Sequence, residues 1–140
     1  MTNDQQPSAI LGFDPGRMKC GMAVMGQDGG LLWHEVVPSE KAIATIESLR
    51  EEYAIAVLVM GDQTTSRKWE NHINEGLSSA LPIIRVDERY TSLQARDRYW
   101  EMYPPKGLSR LIPQGMRQPP RPIDDIVAIL LIERYLGKGF

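Results

Sequence analysis

Cysteine is nearly missing from this chain. Cys20 stands alone among 140 residues, so no intramolecular disulfide can form, and the two histidines, His34 and His72, have no zinc-ligand spacing to it. A reducing, cytoplasmic setting is the expectation. No apolar run approaches the roughly 18 residues that a membrane span needs. Residues 1–8 are polar rather than basic-then-apolar, and are expected to form a flexible tail ahead of a single domain over residues 9–140. Net charge is also small, formally −2, which excludes a uniformly basic nucleic-acid binder but leaves local asymmetry open. No nucleophile-elbow spacing is present, which disfavours a Ser-His-Asp hydrolase. What remains is 42% hydrophobic and 24% charged, the mixture of one soluble domain with one core.

The apolar pattern predicts strands over 8–14, 20–26 and 31–37, with the Gly-rich turn Gln27-Asp28-Gly29-Gly30 making the last two a hairpin. Ser39 is a candidate N-cap for a helix carrying Ala42, Ile43, Ile46, Leu49 and Tyr53 at helical spacing. The continuously apolar run 55–60 reads as a strand covered on both faces, the expected central parallel strand. Trp69, Ile73, Leu77 and Ala80 mark a second helix, and residues 82–86 a fifth strand. Thr91 and Gln94 have capping-box spacing for a third helix. Residues 104–122 hold six of the ten prolines, which predicts no regular element there. Residues 123–136 read as a deeply packed helix closed by Gly137. The expected fold is α/β, a five-stranded mixed sheet that starts as an antiparallel meander and continues with parallel strands joined by helices.

Asp14 closes the first strand ahead of Pro15-Gly16. A carboxylate there is costly to bury, by several kcal/mol, unless it is paired or coordinates a metal. Its bland role is to open the turn through its side chain. Glu88 lies just past strand five, and Asp124 and Asp125 start the last helix, where the helix dipole alone would favour acids. In an α/β layout strand ends and helix starts face one edge. Asp14, Glu88 and Asp124 or Asp125 gathered there would form an all-oxygen site suited to Mg2+ or Mn2+.

Residues 10–16 (Ile-Leu-Gly-Phe-Asp-Pro-Gly) with Lys19 and Gly21, residues 86–92 (Val-Asp-Glu-Arg-Tyr-Thr-Ser) with Ala95 and Arg96, and Ile123-Asp124-Asp125 with Ala128 and Leu136 resemble the three signatures of the YqgF-type, Holliday-junction-resolvase-like nucleases. The resemblance spans about residues 10–136, and its most specific stretch is Asp-Glu-Arg-x-Thr. It implies a ribonuclease H-like fold and divalent-metal-dependent cleavage of structured RNA or branched DNA, leaving a 5′-phosphate and a 3′-hydroxyl. The implied substrates are the 5′ end of pre-16S ribosomal RNA or a four-way DNA junction. By the same resemblance Asp14, Glu88 and Asp124 are catalytic metal ligands, Asp125 competes with Asp124 for that role, and Lys19 and Arg89 are basic positions beside them. Two departures mark a divergent branch: residues 61–65 lack the family's Gly-Leu-Pro stretch, and the Pro-rich segment is long.

Between Arg89 and Arg121 the cations Arg89, Arg96, Arg98, Lys106, Arg110, Arg117 and Arg121 outnumber the acids by five. Such a segment can follow a phosphate backbone, and Tyr90, Tyr99, Trp100 and Tyr103 between them can stack on unpaired bases or pack into the core. Of these cations Arg96, Lys106, Arg110, Arg117 and Arg121, with Lys19 and Arg89, are the nucleic-acid-binding candidates. A nucleic-acid-binding module that no longer cuts is the main rival. An actin-like ATPase, suggested by the Asp-Pro-Gly turn, needs a second lobe that this length does not supply, so no nucleotide cofactor is expected.

Overall fold

Strict alternation along the first strand assigns its side chains to two cores. The computed structural model describes residues 8–63 and 65–137. The expected tail therefore falls almost wholly outside the described residues. Strands β1 (Ala9–Asp14), β2 (Lys19–Gly26) and β3 (Leu31–Pro38) form the antiparallel meander, and β4 (Ile55–Gly61) and β5 (Ile83–Val86) add in parallel. The sheet order is β3-β2-β1-β4-β5. β1 therefore takes the middle position expected of β4, which lies buried between β1 and β5. Ala9, Leu11 and Phe13 enter one core, beneath helices α1 (Ala42–Glu52) and α2 (Ser66–Gly76). Ile10 enters the other, beneath α3 (Thr91–Met102) and α4 (Asp124–Tyr135). No helix among the described residues is long and apolar enough to cross a membrane.

The last helix is the wedge of the second core: every residue from Asp125 through Ile132 is buried. Its first turn reaches the sheet only because position 21 is glycine. A Cβ there would lie 1.9 Å from the Asp124 carbonyl oxygen, an impossible approach. Since Asp14 pairs in register with Gly21, this one contact sets the start of α4 beside the end of β1. Gly137, in the left-handed region at φ 76°, closes the helix as its pattern predicted, its N–H bonding Arg134 O at 3.1 Å.

Local capping is where the pattern misleads. Ser39 does not cap α1; it opens a short 3₁₀ turn, and its hydroxyl donates to Gly16 O at 2.7 Å, a tertiary partner that outcompetes the helix. Thr91 is the first helical residue of α3 rather than its cap, its hydroxyl donating to Glu88 O at 2.8 Å, while Gln94 accepts from Arg134 at 3.0 Å. The second helix stops at Gly76, short of Ala80, because α1 holds the following main chain: Glu47 accepts from Ser78 N–H, and Arg50 donates to the carbonyls of Ser79 and Ala80. The Pro-rich segment folds two short 3₁₀ turns, Gly107–Leu111 and Gln114–Met116, between its prolines. Turns this short fit between successive prolines, where a longer α-helix would be broken.

Candidate nucleic-acid-processing site

Asp14, at the C-terminal end of the middle strand, and Asp124, at the first turn of α4, line one cavity of about 350 Å³ with Gln63, Thr91, Ser92 and Arg96. Burial, then the charges of Asp124 and Glu88, push the Asp14 carboxyl up to about 7. Like charges held together in a desolvated site produce this effect, and a cation among them would reverse it. Asp124 Oδ2 is buried with no hydrogen-bond partner. Its nearest counter-charge is Lys19 Nζ, at the start of β2, at 3.9 Å, an ion-pair distance rather than a hydrogen bond. An orphaned carboxylate oxygen of this kind is costly unless something coordinates it.

Glu88 approaches this pair but is held from it. Its Oε1 rests on Gly61, so closely that a Cβ built there would be 1.5 Å away, and the carboxylate accepts hydrogen bonds from Gln63. Burial raises its pKa, with Asp62 and Asp87 adding repulsion and the Gln63 bonds opposing. Among the described residues no three His, Cys, Asp or Glu side chains form a group that could hold a metal ion. Two carboxylates face the cavity; the third lies against the loop after β4.

Asp125 points elsewhere. It is 2% exposed, and its oxygens are taken by His34 Nδ1 at 2.6 Å and Arg121 at 2.9 Å. The successive positions of α4 thus carry their carboxylates to different sides, Asp124 toward Asp14 and Asp125 toward β3. Both Asp125 oxygens are thus engaged on the β3 side of the helix, apart from the cavity that Asp14 and Asp124 line.

The basic candidates divide by partner. Arg96 lines the carboxylate cavity, and Lys19 approaches Asp124 from β2. Arg89 is exposed and folds onto Asp87 at 3.0 Å, which lowers the Asp87 pKa through the bond from the Arg89 main chain and the guanidinium. Arg121 belongs to the Asp125 cluster. Arg96 donates to Gly115 O and Arg117 O, Arg110 to Gly107 O, and Arg117 to Ser109 O and Ile112 O, bonds to main-chain carbonyls that leave the charge of each guanidinium in place. Lys106 lines a separate cavity at the end of α3.

Three residues escaped the sequence reading. His34 contacts Asp125 across 91 positions, Gln63 holds Glu88, and Arg134 ties the strand-five loop to α4 through Asp87 O and Arg89 O. Arg134 carried only a weak signal, a cation in a helix's last turn; the other two carried none.

No family model matches the chain. Two Coxiella burnetii proteins provisionally named pre-16S rRNA nuclease are similar to it: that of strain CbuK_Q154 is 27% identical over 153 residues, and that of strain RSA 493 is 28% identical over 151. Each alignment covers 91% of this chain and 92% of the relative. Among solved structures, Thermus thermophilus RuvC in complex with a Holliday junction substrate superposes with a TM-score of 0.55 at 16% identity, covering 89% of each chain. A second structure of T. thermophilus RuvC gives 0.53 at 12%, covering 93% of this chain and 97% of that one. The five-stranded mixed sheet with its four helices is thus the ribonuclease H-like fold of those neighbours.

Proposed function

Taking as premise the YqgF/RuvC-like, Holliday-junction-resolvase-like family that the relatives and fold neighbours support for this chain, we propose that it is a metal-dependent endonuclease acting on structured nucleic acid, with the 5′ end of pre-16S ribosomal RNA as its leading substrate and a four-way DNA junction as the other. The observation that carries the reading is the meeting of Asp14 and Asp124, 110 positions apart, in one cavity with an ionisation raised to about 7 and an unpartnered buried oxygen.

The donor set fits a hard divalent cation: only oxygens are offered, and their mutual repulsion is relieved by one. Asp14 and Asp124 would hold Mg2+ or Mn2+, with Glu88 completing the set once released from Gln63. Bound there, the ion supplies activation of water and neutralisation of charge at the phosphoryl oxygens. The chain's own groups do the rest. Lys19 Nζ lies beside Asp124 and gives a phosphate oxygen a cationic partner at the cavity mouth. Arg96, on the cavity wall, is anchored by two carbonyls of the Pro-rich segment and presents a fixed positive charge to the strand. Gly61 and Gly21 exclude side chains where Glu88 and the first turn of α4 must sit.

The test is cleavage of a labelled precursor-rRNA fragment and of a four-way junction with Mg2+, by the wild type and by Asp14→Asn. Loss of at least about 1,000-fold in rate is expected from the substitution with the circular dichroism spectrum unchanged. Full activity in Asp14→Asn removes the assignment. The set-back position of Glu88 favours one other reading, a binding module that does not cut; binding indifferent to Mg2+ with no product from the wild type would establish it.

A further inference from the structure

A cavity of about 640 Å³ lies outside the carboxylate site. It is walled by Tyr99, Trp100, Tyr103, Pro104 and Pro120, with Lys106 at its edge, and falls within the usual size range of small-ligand pockets, about 300–1,000 Å³. Its chemistry is flat and apolar inside, cationic outside. Arg117 sits over the Trp100 ring at 5.5 Å, and Arg121 over Tyr99 and Tyr103 at 5.4 and 5.7 Å. Trp100 Nε1 is buried with no hydrogen-bond partner, a donor awaiting an acceptor. Tyr103 is 41% exposed at the mouth, although an aromatic ring of that size has every reason to be covered.

The two cavities are joined by one helix face. Arg96 lines the carboxylate cavity, and Tyr99, Trp100 and Tyr103 follow at three, four and seven residues, the spacing of one face. The span from Arg96 to Tyr103 is about 10 Å along the axis. Arg96 also bonds the carbonyls of Gly115 and Arg117, so the Pro-rich segment that roofs the second cavity is tied to the wall of the first.

We propose that this cavity receives one unpaired nucleobase of the substrate strand, next to the scissile phosphate, stacked against Tyr103 while Arg96, Lys106 and Arg117 follow the adjoining phosphates. The inference rests on the nuclease reading above and adds a selectivity to it: a paired base cannot enter, so the site prefers an open strand to an intact duplex. Base stacking on an aromatic ring is tolerant of sequence and suits a positively bordered groove. Cations around the cavity argue for a nucleic-acid occupant over a neutral peptide.

The probe is a single-stranded RNA decamer carrying 2-aminopurine, titrated in EDTA so that no cleavage occurs, beside a duplex of the same sequence. For the wild type, fluorescence of the probe base is quenched on binding. Tyr103→Ala should weaken binding of the open strand about five- to hundredfold and abolish the quench, with duplex binding unchanged, whereas Tyr103→Phe keeps both. An abasic position replacing the 2-aminopurine should weaken wild-type binding equally, a comparison that needs no variant. If Tyr103→Ala and the abasic strand both bind as the wild type binds the intact strand, the inference is overturned; wild-type cleavage with Mg2+ in that case leaves the nuclease reading standing. A wild type that neither binds nor cuts overturns both.

Discussion

The first turn of α4 carries two adjacent aspartates into opposite circumstances. On one side Asp124 faces Asp14, keeps a buried oxygen without a hydrogen-bond partner, and meets Lys19 only at an ion-pair distance of 3.9 Å. On the other, Asp125 is closed between His34 and Arg121, with Tyr103 Oη 3.4 Å from the far nitrogen of the His34 ring. A carboxylate whose acceptors are all occupied by fixed donors is committed to holding elements together, here α4 to β3 and to the end of the Pro-rich segment. One left short of partners in a repelling pair is energetically poised to take up a cation. Composition and position do not separate these two residues; their neighbours do.

The sharpest way to break this comparison is Asp125→Ala. It leaves the partly exposed Arg121 and His34 without their shared partner, and should lower the unfolding free energy by about 2–3 kcal/mol. Urea denaturation would show the midpoint falling at constant slope. The fraction that folds should still cleave, because Asp125 does not reach the cavity. A variant that unfolds like the wild type yet no longer cuts would put Asp125 in the reacting set and erase the distinction.

A smaller effect comes from Asp14 in the metal-free protein. Its folded pKa, about 7 against the ordinary 3.8, means the folded state binds the proton more tightly than the unfolded chain does. Stability is therefore greatest below the unfolded pKa, declines as pH rises from about 4 through 7, and bears the full penalty above 7. The whole shift corresponds to about 4 kcal/mol, and water entering the open cavity should hold the realised loss to roughly 2 kcal/mol. Thermal melts in EDTA between pH 5 and 8 should show this slope in the wild type, a weaker one in Asp14→Asn, and its reversal on adding Mg2+. A wild-type slope no steeper than that of Asp14→Asn would mean that Asp14 is neither desolvated nor repelled in the folded protein.

The outline of the molecule was legible because its signals are repeated. The apolar runs of β1 and β4 each rest on several residues, so an error at one position does not change the element. Asp14 and Asp124 were legible for a related reason: a strand end and a helix start are defined by whole elements, and the fold brings such ends to one edge. Single-bond decisions were not. Ser39 and Thr91 have the residue types of caps, yet each hydroxyl found a carbonyl of its own, Gly16 O and Glu88 O. The pairing of Asp125 with His34 depends on β3 and α4 crossing, which no local spacing encodes. The orientation of Glu88 depends on Gly61, the last residue of β4, and on Gln63 in the loop that follows, where residues 61–65 depart from the pattern of the nucleases the sequence resembles.

That loop supplies the finest test. Glu88 is neither committed like Asp125 nor short of partners like Asp124: it accepts from Gln63 while its charge helps raise the Asp14 pKa. If the Gln63-bound arrangement competes with one in which Glu88 turns to the cation, apparent metal affinity is reduced by the fraction of molecules so held. Gln63→Ala removes the side-chain bond and leaves the main-chain one. Mg2+ affinity, read by calorimetry or by the metal-dependent rise in melting temperature, should therefore improve by about two- to fivefold, with stability changed by less than about 1 kcal/mol. Weaker Mg2+ binding in that variant would mean that Gln63 holds Glu88 in its working position, and that the third carboxylate belongs with Asp14 and Asp124 as it stands.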